Sequence, residues 1–176
     1  MKNIVLIGMP GTGKSSVGVI LAKHLSYAFL DTDIELAHRT GRTLPCILAE
    51  DGLERFLQLE GETGEAVACT DTVIATGGSM IFSEGAMRNL RTSGFTIWLE
   101  TPVETLQERL MGGSRERRGV AAPSDMTVAD IYALREPLYA KYADLRVRCR
   151  DGVENTVSDI IAELKARGVI RQEIEY

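Results

Sequence analysis

Gly8-Met9-Pro10-Gly11-Thr12-Gly13-Lys14-Ser15 satisfies G-x-x-x-x-G-K-[ST] at every position, directly after the apolar run Lys2-Asn3-Ile4-Val5-Leu6-Ile7. That order predicts a buried strand, a tight glycine loop and a helix opening near Lys14. Glycines let the backbone curl with its N–H groups pointing inward, and the helix aims the positive end of its dipole at the same point. The product is a cradle for an anion, with Gly11, Thr12, Gly13, Lys14, Ser15 and Ser16 as candidate phosphate contacts. Lys14 would reach the β- and γ-phosphates of a nucleotide, and the Ser15 hydroxyl would hold Mg²⁺.

Bulk properties narrow the field. A chain of 176 residues suits a single domain with a good core. A net charge of −5 argues against a broad nucleic-acid partner. Cys46, Cys69 and Cys149 are scattered, and no secretory segment precedes Lys2, so the chain reads as cytosolic and reduced. No apolar run approaches the roughly 18 residues of a membrane span. His24 and His38 have no cysteine near them, which speaks against zinc. A monomer acting on small molecules is expected.

Strand-like and helix-like patterns then alternate to the end, as in a parallel sheet wrapped by helices. Helices are expected over Ser15 to Leu25, Ile34 to Arg39 with Gly41 as a stop, Gly52 to Cys69, Pro102 to Met111 with Thr101 as N-cap, Val128 to Tyr142, and Thr156 to Arg167. Strands are expected at Ile4 to Ile7, Ala28 to Leu30, Thr72 to Ala75, Phe95 to Leu99 and Leu145 to Cys149. Residues 112 to 127 break this rhythm, with little to bury and several cations. Long structureless loops in compact domains often act as lids, so 112–127 is read as a lid between core segments 1–111 and 128–170.

In such folds the ligand crevice lies beyond the carboxyl ends of the strands. Asp31 and Asp33 follow the second strand two residues apart, so both carboxylates can face that crevice. Asp31 suits Mg²⁺ through a bridging water or from behind its direct ligands, because this ion keeps several waters and needs few protein oxygens. Asp33 suits orienting, or taking a proton from, an attacking hydroxyl. A plainer alternative makes Asp31 only a helix cap and leaves Asp33 exposed in the first turn. Gly77 and Gly78 allow a ligand to approach the backbone.

Together with Gly8 to Ser15, the chain carries Asp31-Thr32-Asp33, Arg39-Thr40-Gly41, Asp51-Gly52, Phe56, Glu60, Thr76-Gly77-Gly78 and Arg135-Glu136-Pro137-Leu138-Tyr139. In this order and spacing it resembles the shikimate kinase family over essentially its whole length. The resemblance implies a three-layer α/β P-loop kinase fold with a five-stranded parallel sheet in the order 2-3-1-4-5. It also implies ATP and Mg²⁺, transfer of the γ-phosphoryl group to a shikimate hydroxyl, and a place in aromatic amino acid biosynthesis. By the same resemblance, Lys14 and Ser15 serve nucleotide and metal, and Asp33 meets the acceptor hydroxyls. Gly77 and Gly78 would offer backbone contact, Arg135 would bind the acceptor carboxylate, and Arg117 would be the lid arginine at the phosphates.

Several positions depart from the family pattern. Leu57 stands where relatives have a carboxylate-binding arginine, Ser79 where a third glycine is usual, and Arg118-Gly119-Val120 where Pro-Leu-Leu follows the lid arginine. Leu110 falls where an arginine normally faces adenine, with Arg109 adjacent. Arg55 is two residues from Leu57, about 200° around a helix, and so is a poor substitute. Losing one arm of a two-arginine clamp costs on the order of 1.5–3 kcal/mol in acceptor binding. Glu60 then either accepts an ammonium or extra hydroxyls, as on homoserine or a cyclitol, or pairs with Arg135 or another local cation. A regulatory nucleotide-binding module and a nucleotide kinase are the remaining alternatives.

Overall fold

A computed structural model describes residues 2–111 and 119–170. Its centre is a five-stranded parallel sheet in the order β2-β3-β1-β4-β5, formed by β1 (Asn3–Ile7), β2 (Ala28–Asp31), β3 (Thr72–Ala75), β4 (Gly94–Glu100) and β5 (Leu145–Arg148). Strand β1 lies between β3 and β4, with Val5 opposite Ile74 on one side and Thr96 on the other. Every residue of β1 is buried, as expected of a central strand covered on both faces.

Alternation along β1 builds two core layers. Ile4 and Leu6 pack against Val17 and Leu21 of α1 (Lys14–Leu25) and Val157, Ile160 and Leu164 of α7 (Val153–Ala166). Val5 and Ile7 point oppositely, toward Met87 and Leu90 of α4 (Glu84–Ser93) and Ile131 and Tyr139 of α6 (Val128–Tyr142). The chain therefore leaves β1 toward one face and β3 toward the other, and the crevice opens between their carboxyl ends. A smaller cluster of Leu36, Ile47, Phe56 and Ala121 lies beneath α2 (Thr32–Thr40) and α3 (Leu44–Glu65).

The expected sheet and its order are present, and the structure revises several helix boundaries. Helix α3 begins at Leu44 and ends at Glu65, rather than spanning Gly52 to Cys69. Gly52 (φ 79, ψ 173) breaks the helical path, so a helical stretch does begin after it as expected, while a first stretch that was not expected opens at Leu44, where Thr43 caps by accepting from the Cys46 N–H. Helix α5 (Val103–Leu110) has Pro102, not Thr101, at its N-cap, and Thr101 Oγ1 is buried without a hydrogen-bond partner among the described residues. Helix α7 starts at Val153, three residues before the expected Thr156. Helix α4 was not anticipated, although its buried Ala86, Met87 and Leu90 fall at helical spacing.

The expected lid is in part core. Residues 112–118, Arg117 among them, and the tail 171–176 lie outside the described residues. Val120 and Ala121 are buried, and Gly119 (φ 63) sits so close to Leu44 that a Cβ would lie 2.7 Å from its Cβ. Sequence reading missed this because three small residues in a polar stretch have too little apolar periodicity to register.

Candidate active site

The glycine loop takes the conformation its composition calls for. Gly13 is the left-handed N-cap of α1 (φ 97), and Gly8 (φ 148) passes so near β4 that a Cβ would meet Leu99 O at 2.5 Å. Lys14 is the first residue of α1, and its buried Nζ donates to Gly8 O at 2.8 Å and Met9 O at 2.9 Å. Burial lowers its pKa to about 8, against the opposing pull of Asp33. One protonated amine is thus held at the mouth of the cradle.

Ser15 Oγ donates to Asp31 Oδ2 at 2.6 Å, while Asp31 Oδ1 accepts from the N–H groups of Asp33 (2.9 Å) and Ile34 (3.3 Å). Asp31 is therefore both the cap of α2 and the partner of Ser15. A hydroxyl and a carboxylate oxygen in contact beside a phosphate cradle are hard donors that fit Mg²⁺. The cap fixes the first turn of α2 and so fixes Asp33. Asp33 is half-buried rather than exposed, and burial, then Asp31, raise its pKa to about 6.

Across the crevice, Thr32 Oγ1 accepts from the Gly77 N–H at 2.9 Å, and Tyr139 Oη donates to Gly78 O at 2.7 Å. These bonds pin the turn after β3 between α2 and α6. Helix α6 is started by a reciprocal cap in which Thr127 Oγ1 accepts from Asp130 N and Asp130 Oδ2 accepts from Thr127 N. Arg135, only 1% exposed, sits one turn before Tyr139 on the same face. Its Nη2 donates to Ala121 O at 2.6 Å, and its guanidinium lies 5.5 Å from the centre of the Phe82 ring. Nε and Nη1 are buried without a hydrogen-bond partner among the described residues. Unpaired buried donors on a cation are what a bound carboxylate would satisfy.

These groups surround one cavity of about 460 Å³. Gly11, Gly13, Lys14, Ser15 and Ser16 form its phosphate end, and Asp33, Phe56, Glu60, Gly78, Ser79 and Arg135 form the other. Gly119, Val120 and Ala121 complete its wall. Thr12 and Gly77 are not among the residues that line it, Thr12 being buried and the Gly77 N–H held by Thr32. The structure therefore brings Lys14, Ser15, Asp33, Gly78 and Arg135 to one cavity, with Thr12 and Gly77 outside its lining. Tyr139 and the 119–121 backbone are the parts that sequence reading missed. The i, i+4 spacing of Arg135 and Tyr139 was the available signal.

The departures at Leu57 and Ser79 meet at one residue. Leu57 packs against the cluster of Leu36, Ile47 and Phe56, and Arg55 turns outward to Glu62 at 3.4 Å. Glu60, 2% exposed, forms no ion pair among the described residues. Its Oε2 instead accepts a hydrogen bond from Ser79 Oγ. Burial, then Asp33, raise the Glu60 pKa to about 7, against the bond from Ser79 and the fields of Arg135 and Lys14.

A second cavity of about 460 Å³ lies beyond the loop, lined by Thr101, Pro102, Arg109, Arg148 and Arg150 among others. Arg109 joins it to the cradle by donating to Gly11 O at 3.0 Å, while Leu110 packs against Gly11.

A strand, a phosphate cradle at a helix start and an acid beside it define a P-loop phosphotransferase. The shikimate kinase family model matches residues 10–165. Shikimate kinase of Symbiobacterium thermophilum is 37% identical over 94% of this chain and 98% of its own length. Shikimate kinase 2 of an Enterobacter species is 38% identical over 92% and 95%. Shikimate kinase from Acinetobacter baumannii, solved in complex with shikimate, superposes with a TM-score of 0.86 at 28% identity, covering 97% of this chain and 96% of that one. The chain belongs to the shikimate kinase family.

Proposed function

We propose that this protein transfers the γ-phosphoryl group of ATP to a hydroxyl of shikimate, with Mg²⁺, as a cytosolic monomer. The observation that carries this reading is Arg135, a buried guanidinium with two unsatisfied donors in the same cavity as Lys14 and Asp33. An acceptor with a carboxylate at one end and a hydroxyl at the other spans these groups. The relative crystallised with shikimate supports the same acceptor.

In this mechanism the loop N–H groups and Lys14 hold the phosphates, and Asp33 orients the acceptor hydroxyl and receives its proton as the oxygen attacks. Ser15 and Asp31 would hold Mg²⁺, which would supply positive charge against the phosphate oxygens. Because the transition state is loose, alignment and electrostatics matter more than base strength. Arg117 is assigned to the phosphates by resemblance alone. The adenine ring is assigned to the second cavity, beside Arg109 in place of the arginine replaced by Leu110.

The test is ADP release with Mg·ATP and a panel of shikimate, quinate, homoserine, gluconate and nucleoside monophosphates. Shikimate-dependent release that Lys14→Ala lowers by at least about 100-fold is expected. Release with homoserine or a nucleotide alone would reassign the acceptor, and none across the panel would favour a binding module.

A further inference from the structure

Glu60 sits where a carboxylate ligand creates a charge conflict. Arg135 from α6 and Lys14 from α1 face it as cations, Asp33 from α2 as an anion, and Ser79 and Tyr139 as hydroxyls. Lys14 already lies against the phosphate loop through Gly8 O and Met9 O. That leaves Arg135 as the described cation at the acceptor end, and Leu57, one helical turn before Glu60, supplies none. An acceptor carboxylate docked on Arg135 would neutralise it and leave an ionised Glu60 in a low-dielectric wall with Lys14, already bonded to the phosphate loop, as its remaining cation among the described residues, an arrangement that is unfavourable.

The geometry also gives the carboxyl group a place for a proton. Oε2 is occupied by the Ser79 hydroxyl, whereas Oε1 lies directly over Gly77, where a Cβ would clash with it and would also lie 2.6 Å from Asp33 Oδ1. Asp33 is thus a neighbouring anion that disfavours an ionised Glu60.

We propose that Glu60 takes up a proton from solvent when an acceptor carboxylate docks on Arg135, with Ser79 positioning its carboxyl, so that this buried acid replaces the missing second cation by becoming neutral. Glu60 is thereby a specificity-determining residue: neutral, it admits a carboxylate, and ionised, it favours an ammonium. This rests on the reading of the cavity as a site for a hydroxy acid. Its pKa of about 7 in the free protein puts the proton within easy reach.

The consequence is a proton linkage. Above about pH 7, shikimate affinity falls by up to tenfold per pH unit, because each bound acceptor must bring one proton with it. Calorimetric titration of the full chain with shikimate at pH 8, in phosphate and in Tris, reads the uptake from the difference in buffer ionisation heat. Wild type is expected to take up close to one proton. Glu60→Gln, neutral at every pH, is expected to bind with little uptake and with a flattened pH profile. Ser79→Gly removes a donor to the ionised form, so it moves the loss of affinity to higher pH.

Shikimate binding with no buffer dependence, or equal uptake in Glu60→Gln, overturns the inference and leaves the proposed acceptor standing. No shikimate binding in wild type, with its fold intact by circular dichroism, overturns the proposed acceptor and this inference with it. Homoserine, whose ammonium can face an ionised Glu60, is expected to bind without uptake, and uptake equal to that with shikimate overturns the specificity role of Glu60.

Discussion

Tyr139 donates its hydroxyl to Gly78 O at 2.7 Å, one helical turn after the guanidinium of Arg135 that faces the same turn. One face of α6 thus supplies the acceptor cation and fixes the backbone opposite it. A Cβ on Gly78 would lie 2.7 Å from Pro10 Cδ and 3.0 Å from Arg135 Nη1, so this turn is also wedged between the cradle and the cation.

Tyr139→Phe leaves Gly78 O without its donor while keeping the stack on Trp98, whose ring centre is 5.9 Å away. A loss of about 1–3 kcal/mol in unfolding free energy is expected, together with a raised KM for the acceptor. Urea denaturation and steady-state kinetics check the two effects, and an unchanged KM would mean that the turn holds without the hydroxyl.

Asp33→Asn keeps the shape of the first turn of α2 and removes the proton acceptor. A fall in kcat of about 10²–10⁴-fold is expected, with Mg·ATP affinity nearly unchanged. Rapid-quench turnover alongside nucleotide titration separates the two, and near-normal turnover would remove Asp33 from the reaction.

Leu57→Arg places a cation one turn before Glu60. Glu60 would then stay ionised, and the acceptor KM is expected to fall by roughly tenfold or more, at some stability cost because Leu57 packs on an apolar cluster. No gain for shikimate, with the fold intact by circular dichroism, would show that the second arm is not what limits binding.

Glu60 also makes stability depend on pH. Its carboxyl in the folded protein has a pKa of about 7, above the ordinary 4.5, so the unfolded chain ionises first. Stability is complete below pH 4.5, declines as pH rises toward 7, and levels off above that, for a total loss of at most about 3 kcal/mol. Glu60→Gln does not titrate, and its advantage over wild type is expected to grow between pH 5 and pH 8. Paired urea melts at those two values check the sign, and a constant difference would mean that Glu60 does not titrate in this range.

Much of this molecule is readable from short stretches of chain. The glycines at 8, 11 and 13 and the lysine that follows dictate the cradle, because positive φ and a helix start are demands on neighbouring residues. The unbroken apolar run Ile4 to Ile7 dictates a strand buried on both faces, and Asp31 with Gly41 brackets α2. Even the outward turn of Arg55 follows from helix geometry alone. The first turns of α3 were hidden because Gly52 is a genuine break in the helical path, and the helix beyond it is the part the sequence announces.

What no local pattern contains is the electrical state of the cavity wall. Glu60 and Ser79 are 19 residues apart, and Arg135 reaches Ala121 across 14 more positions of chain. Whether a carboxyl is a solvated surface charge or a buried acid near neutrality depends on which distant side chains exclude water from it, and that is decided only when α2, α3 and α6 close around the turn after β3. Backbone conformation is set by adjacent residues, whereas desolvation is a property of the assembled whole.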